Sequence, residues 1–206
     1  MSRPKSSHQW YLRHKKDTYV KQAQQDHYRS RAVYKLAQLD EKDKLFRPGM
    51  TVIDLGAAPG GWSQWLKRQY DDNIHVIALD MLPMDAIPGV IFIQGDFREN
   101  EVLDNLLNNL ENKKVDLVMS DMSPNMSGMR AVDQPRAMLL AELARDLALQ
   151  TLSKEGHFVT KLFQGEGFDD YIKELKEHFK QVVIRKPHAS RDQSREIYVL
   201  AKHYCV

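Results

Sequence analysis

Val52-Ile53-Asp54-Leu55-Gly56-Ala57-Ala58-Pro59-Gly60-Gly61-Trp62 is the stretch that decides the fold. A β-rich apolar run enters a turn of small residues, and an amphipathic segment follows. Small residues let a backbone approach a ligand closely, and the free amides of a helix N-terminus can hold an anionic group. The spacing Gly56-x-x-x-Gly60 is not the G-x-G-x-x-G pattern that cradles a dinucleotide pyrophosphate, and Pro59 stiffens the turn. The turn Gly56, Gly60, Gly61 and Trp62 therefore fits a cofactor that has no pyrophosphate and presents an amino-acid tail, as S-adenosylmethionine (SAM) does.

Outward from this turn the chain alternates short apolar runs with amphipathic stretches. Strands are expected at Thr51–Leu55, His75–Leu79, Val90–Ile93, Val115–Ser120, His157–Leu162, Val182–Arg185 and Ile197–Ala201. Helices are expected at Trp62–Gln69, Glu101–Leu110, Pro135–Leu152 and Asp169–Phe179, with Pro135 in the first turn of the third. Residues 17–40 read as helical, with apolar positions at helix-like spacing near their end. Such alternation implies an α/β fold of the Rossmann-like, doubly wound kind, with helices on both faces of a mostly parallel sheet. Residues 186–195 carry no helical pattern, so the last two of the seven strands form a hairpin and the last strand is antiparallel.

Acids recur where strands end, which is where open α/β sheets bind ligands. Asp80 lies 20 residues after Gly60 and can accept hydrogen bonds from a ribose diol. Asp96, beside Phe97, can accept from an adenine amino group. Asp121 follows the fourth strand. Lys161 stands inside an apolar strand, which is costly without a partner. Lys35 sits among apolar helix positions, and Glu196 opens the last strand.

The totals are those of one soluble domain: 206 residues, 42% hydrophobic. A single cysteine, Cys205, excludes an internal disulfide and a Cys-rich metal site. Three scattered histidines, His8, His14 and His27, suggest no metal either. No apolar run reaches membrane-spanning length and the N-terminus lacks a secretory core, so cytoplasm is expected. The net charge of +2 conceals a polarised chain: residues 1–35 are +7, leaving −5 elsewhere. Rings of His8, Trp10, Tyr11, His14, Tyr19, His27 and Tyr28 are interleaved with those cations, a combination suited to RNA. The expected organisation is a basic RNA-binding arm over residues 1–30 and a catalytic domain over 31–206.

Five segments share one resemblance. Ser30-Arg31-Ala32-x-x-Lys35-Leu36, the turn Asp54 to Ser63, Ser120-Asp121-Met122-Ser123-Pro124-Asn125, Lys161-Leu162-Phe163-Gln164-Gly165 and Ser194-Arg195-Glu196-x-Tyr198 resemble, in order, the FtsJ/RrmJ family of RNA ribose 2′-O-methyltransferases. The resemblance runs from about residue 29 to 201. It implies a catalytic tetrad of Lys35, Asp121, Lys161 and Glu196, and SAM contacts at Gly60, Trp62, Asp80, Asp96 and Asp121. It also implies 23S rRNA in the large ribosomal subunit as partner, at an A-loop uridine; beside it, no metal, no membrane and a monomer are expected. In that chemistry a neutral Lys161 removes the hydroxyl proton, Lys35 supplies a cation that favours the neutral amine, Asp121 orients Lys161, and Glu196 positions Lys35. The rival readings are another RNA such as tRNA, a non-catalytic ribosome-assembly factor that keeps the fold, and, more distantly, a nucleotide-dependent oxidoreductase.

Overall fold

The computed structural model describes residues 17–111, 113–191 and 193–205. Seven strands form one sheet: β1 Thr51–Leu55, β2 His75–Asp80, β3 Val90–Gln94, β4 Val115–Ser120, β5 Leu152–Phe163, β6 Phe179–Arg185 and β7 Glu196–Tyr204. Their spatial order is β3-β2-β1-β4-β5-β7-β6. The first five strands pair in parallel, while β7 inserts between β5 and β6 and is antiparallel to both. The crossovers run one way from β1 through β2 to β3, and β4 and β5 lie on its other side. The gap between β1 and β4 is thus the switch point, where doubly wound sheets open a crevice.

Strand alternation sorts the core into two layers. Val52, Val76, Leu117, Met119, Val159, Tyr198 and Leu200 face helices α2 (Val33–Asp43) and α3 (Gly61–Tyr70), meeting Val33, Leu36, Leu39, Trp62 and Leu66. Ile53, Leu55, Leu79, Val118, Phe158 and Val199 face α4 (Asn100–Asn109), α5 (Arg130–Thr151) and α6 (Phe168–His178). The sheet is covered on both faces, as the pattern implied.

Several boundaries differ from the expected ones: β6 starts three residues earlier, β7 ends three residues later, and three differences are larger. Residues 17–40 are not one helix: α1 (Thr18–Gln25) ends, His27 takes φ 54°, and α2 starts at Val33. Arg68 donates to the carbonyls of Asp26 (2.7 Å) and His27 (2.7 Å), and thereby holds the break. Helix α5 starts at Arg130, so Pro135 lies inside it and not in its first turn. A proline there forgoes one hydrogen bond and the helix continues. Strand β5 begins at Leu152, with a register irregularity against β4 between Val115 and Leu117, so its first third lacks the apolar run that marks the remainder.

Residues 17–30 lie against the domain. Arg29 donates to the carbonyls of Pro59 (3.3 Å), Asp85 (2.5 Å) and Ala86 (2.8 Å), and its amide reaches Gln64 Oε1 at 2.9 Å. Arg31 pairs with Asp17 at 3.1 Å. The most basic part of the segment, residues 1–16, lies outside the described residues. Among the described residues no helix is long and apolar enough to cross a membrane.

Candidate active site

At the switch point the turn after β1 and the chain after β4 come into contact. Gly56 takes φ +74°, and a Cβ there would lie 2.6 Å from Met122 Cγ, so only glycine permits both the turn and the approach. The amides of Gly56 and Ala57 donate to the Leu79 carbonyl, at 2.9 and 3.2 Å, and the Asp121 amide donates to the Leu55 carbonyl at 3.3 Å. Three strand ends are thus tied to one another around a cavity of about 570 Å³.

Gly56, Asp80, Asp96 and Asp121 line that cavity, with Phe97 and Met122 among its apolar walls. Asp80 is fixed by two backbone amides, Ala58 to one oxygen (2.9 Å) and Leu82 to the other (2.8 Å). Each carboxylate oxygen keeps a second lone pair. Asp96 is engaged by Arg98, whose Nε lies 2.9 and 2.8 Å from its two oxygens and whose Nη2 also bonds to it. Those bonds from Arg98 hold the Asp96 carboxyl below the ordinary range.

Gly60, Gly61 and Trp62 form the start of α3 and are not among the cavity-lining residues. Gly61 packs tightly on Ser30. The Trp62 side chain is buried away from the cavity: its Nε1 donates to the Ala32 carbonyl at 2.8 Å, and its ring lies 5.9 Å from that of Tyr198. Anything these residues offer a ligand is a backbone amide. The first bond of the helix runs from the Gln64 amide to the Gly60 carbonyl, and no side chain caps this end, so the amides before Gln64 have no partner within the helix.

All four tetrad residues are brought together. Lys161 Nζ lies 3.0 Å from Asp121 Oδ1 and donates to the Asp121 carbonyl at 2.7 Å. Lys35 Nζ lies 2.7 Å from Glu196 Oε1. Lys161 and Tyr198 are directly opposed across β5 and β7, so their side chains share a face. Tyr198 links the two pairs: its hydroxyl donates to Asp121 Oδ1 at 2.6 Å, and Lys35 Nζ sits 5.6 Å from the centre of its ring. Burial pushes the Asp121 carboxyl up, but the cations of Lys161 and Lys35 and the bonds from Tyr198 and Lys161 outweigh it and hold the group below the ordinary carboxylate range. Burial, followed by the charges of Asp121 and Glu196, pushes the Tyr198 phenol well up, so it remains a donor.

Two site residues escape sequence reasoning. Tyr198 stood in the last of the five motifs without a role, and its membership of that motif was the available signal. Asp54 read as part of the turn motif. It is 1% exposed, accepts from Ser63 Oγ at 2.7 Å, and is pushed up to about 7, chiefly by burial, with the charges of Asp121 and Asp80 adding to it against the Ser63 hydrogen bonds. Among the described residues no group of three or more His, Cys, Asp or Glu is placed to hold a metal ion.

Comparison with known proteins agrees with this geometry. A protein of Chromohalobacter salexigens named Ribosomal RNA large subunit methyltransferase E is 62% identical over 97% of this chain and 95% of its own length. One of the same name from Hahella chejuensis is 58% identical over 99% of each chain. A crystal structure of a candidate ribosomal RNA methyltransferase from Plasmodium falciparum superposes with TM-score 0.77 at 30% identity, covering 86% of this chain and 98% of that one. The profile of FtsJ-like methyltransferases matches residues 28–204, and the chain belongs to that family.

Proposed function

We propose that the protein transfers a methyl group from SAM to a ribose 2′-hydroxyl of 23S rRNA in the large ribosomal subunit, at a uridine of the A-loop. One observation carries this reading: Asp121 belongs both to the cavity wall and to the Lys161–Tyr198–Lys35–Glu196 cluster. A ligand in the cavity and a hydroxyl beside Lys161 therefore meet at one carboxylate.

The residues present fit SAM. The free lone pairs of Asp80 suit a ribose diol, and Asp96 suits an adenine amino group when the half-exposed Arg98 side chain releases it. The first amides of α3, at Gly61 and Trp62, lie outside the cavity lining, just beyond Ala58 in the chain, and suit a carboxylate tail that extends past it. Gly56 keeps the cavity open between them. Bound here, SAM would supply a methyl group already activated on a sulfonium, so no metal is needed.

The chain's own task is the hydroxyl, a poor nucleophile while it keeps its proton. In this reading Lys161 Nζ first gives its own proton to solvent and then takes the hydroxyl proton. The Asp121 carbonyl and carboxylate fix where Nζ points, and Tyr198 fixes the carboxylate. Lys35, paired with Glu196, holds its ammonium beside the Tyr198 ring. Each buried lysine is paired with an acid, which offsets the several kcal/mol that burying the charges costs, and two such pairs kept beside the cavity support a catalytic role.

RNA as acceptor is supported by the names of the relatives and by the basic segment. In this reading residues 1–30 act as an RNA-holding arm, residues 31–206 are the catalytic domain, and a monomer works on subunits in the cytoplasm. The decisive experiment is transfer from methyl-labelled SAM to large subunits that lack the modification, followed by mapping. One labelled ribose in the A-loop is the expected result. Label in tRNA alone would move the substrate, and SAM binding without transfer to any RNA would leave an assembly factor.

A further inference from the structure

The chain that leaves β4 after Asp121 forms a loop, residues 122–129, with two unlike halves. Met122, Ser123, Pro124 and Asn125 line the cofactor cavity. Beyond them Met126 and Met129 are 57% and 61% exposed. The tip is nevertheless held firmly. Asp133, in the first turns of α5 and 5% exposed, accepts from the Ser127 amide (2.8 Å), the Ser127 hydroxyl (2.8 Å) and the Gly128 amide (3.0 Å).

The next residue does the same for a second loop. Gln134, also buried, donates through Nε2 to the carbonyls of Phe163 (3.1 Å) and Glu166 (3.2 Å). Those carbonyls belong to the segment just after Lys161. A Cβ on Gly165 would lie 2.6 Å from Gln134 Cδ, so the loop is pressed onto that amide. Two consecutive residues of one helix therefore hold both loops that flank the Asp121–Lys161 pair.

Burying a carboxylate is costly unless its oxygens are fully bonded. Here the bonds order a tip that carries methionines into water and buries neither. The cofactor cavity lies against the other half of the loop, so the cofactor does not reach them. Arg130, exposed at the start of α5, adjoins Met129 in the chain, while the exposed Arg136 stands on the rim of the cofactor cavity. Exposed, polarisable thioethers next to an exposed cation suit a nucleobase and its phosphate.

We propose that Asp133 and Gln134 are positioning residues that set the seat of the acceptor nucleotide, and that Met126, on the loop they hold, packs against an RNA base next to the methylated ribose. The inference rests on RNA being the substrate. It is tested with Met126→Ala, Met126→Leu, Asp133→Ala and the Met126→Ala/Asp133→Ala double variant on unmodified large subunits. Met126→Ala should raise KM for subunits about three- to tenfold, the scale of a thioether–ring contact, with SAM affinity and the single-turnover rate at saturating RNA unchanged. Met126→Leu should restore KM. Asp133→Ala should slow single-turnover transfer about ten- to hundredfold, the scale of a misplaced reactant, while SAM affinity holds. The double variant should show no further rise in KM over Asp133→Ala, because the loop no longer presents residue 126. Wild-type KM in Met126→Ala, or KM effects that multiply in the double variant, would overturn the inference. If Asp133→Ala does not fold, the exposed Met126 pair decides alone. Failure of the wild-type protein to methylate subunits would overturn the substrate reading instead.

Discussion

The two edges of the sheet hold similar residues and use them differently. At the edge where the parallel strands end, Asp80 accepts from two backbone amides and Asp121 from Tyr198 and Lys161, around a cavity of about 570 Å³. At the edge where they begin, charges answer one another. Asp116 takes the Thr51 amide (2.9 Å) and Arg47 (3.2 Å), and Glu155 takes both Lys180 and His203. The hollow there is about 140 Å³. Charge content does not separate the edges. At the first, carboxylates are anchored by groups behind them and keep lone pairs toward a hollow. At the second, the acids are paired with exposed cations, Arg47 and Lys180, beside a much smaller hollow.

The strongest test of this contrast is Lys161→Arg. Arginine keeps the charge and can still pair with Asp121, but it cannot give up a proton in the working pH range. If the edge works by proton removal, single-turnover methyl transfer should fall roughly a hundred- to ten-thousand-fold, with SAM and RNA binding nearly unchanged. Near-normal chemistry in this variant would reduce Lys161 to an electrostatic role and erase the distinction between a working edge and a paired one.

Asp54 probes the same edge from beneath. Its carboxyl is raised from 3.8 to about 7, so the folded protein holds a proton that the unfolded chain has lost. The sign follows: this contribution to stability is full below about pH 4 and disappears as pH rises through about 7. The shift corresponds to about 4 kcal/mol at most. Asp54→Asn keeps the bond with Ser63 and cannot ionise. Urea unfolding at pH 5 and pH 8 should show wild type losing stability relative to the variant, and equal pH dependence in the two proteins would show that Asp54 is ionised throughout.

How much of this was legible follows from what sets each feature. The seven strands and the turn at Gly56 were readable because apolar runs and small-residue turns are local signals. The tetrad was readable only through the family resemblance, since Lys35 and Glu196 meet across 160 residues of chain. The role of Tyr198 depends on the β5–β7 register, which no local pattern encodes. The start of α5 was misplaced because Pro135 favours a first turn, whereas the buried Asp133 already needs helical backbone before it. Arg29 and Arg31 counted as RNA-facing cations. The structure turns both inward, Arg29 onto carbonyls and Arg31 onto Asp17 and the Ala189 carbonyl, so net charge overstated the free basic surface.

Asp80→Ala has a smaller expected effect, on binding alone. Loss of hydrogen bonds to a charged acceptor should weaken SAM by roughly 1.5–3 kcal/mol, read by calorimetry. RNA affinity should not change, because Asp80 lines the cavity and is remote from the lysine cluster in the sheet order. An unchanged SAM affinity would remove Asp80 from the cofactor site and leave its two amide bonds as a purely structural anchor.

The smallest effect belongs to the opposite edge. Arg47 pairs with Asp116 at 3.2 Å, but its side chain is 69% exposed. Water screens such a pair, and holding a long side chain in one geometry offsets part of the attraction, so exposed pairs contribute roughly 0.2–1 kcal/mol. Asp116 also keeps the Thr51 amide after the arginine is removed, so no buried acceptor is left bare. Arg47→Ala should therefore shift unfolding by less than about 1 kcal/mol and leave SAM affinity, RNA affinity and single-turnover transfer at wild-type values. The shift should shrink further as salt is raised. A loss of methyl transfer in this variant, at unchanged stability, would mean that the 140 Å³ hollow it borders communicates with the catalytic edge across the length of β4, and that the two edges do not differ in the way their charges are partnered.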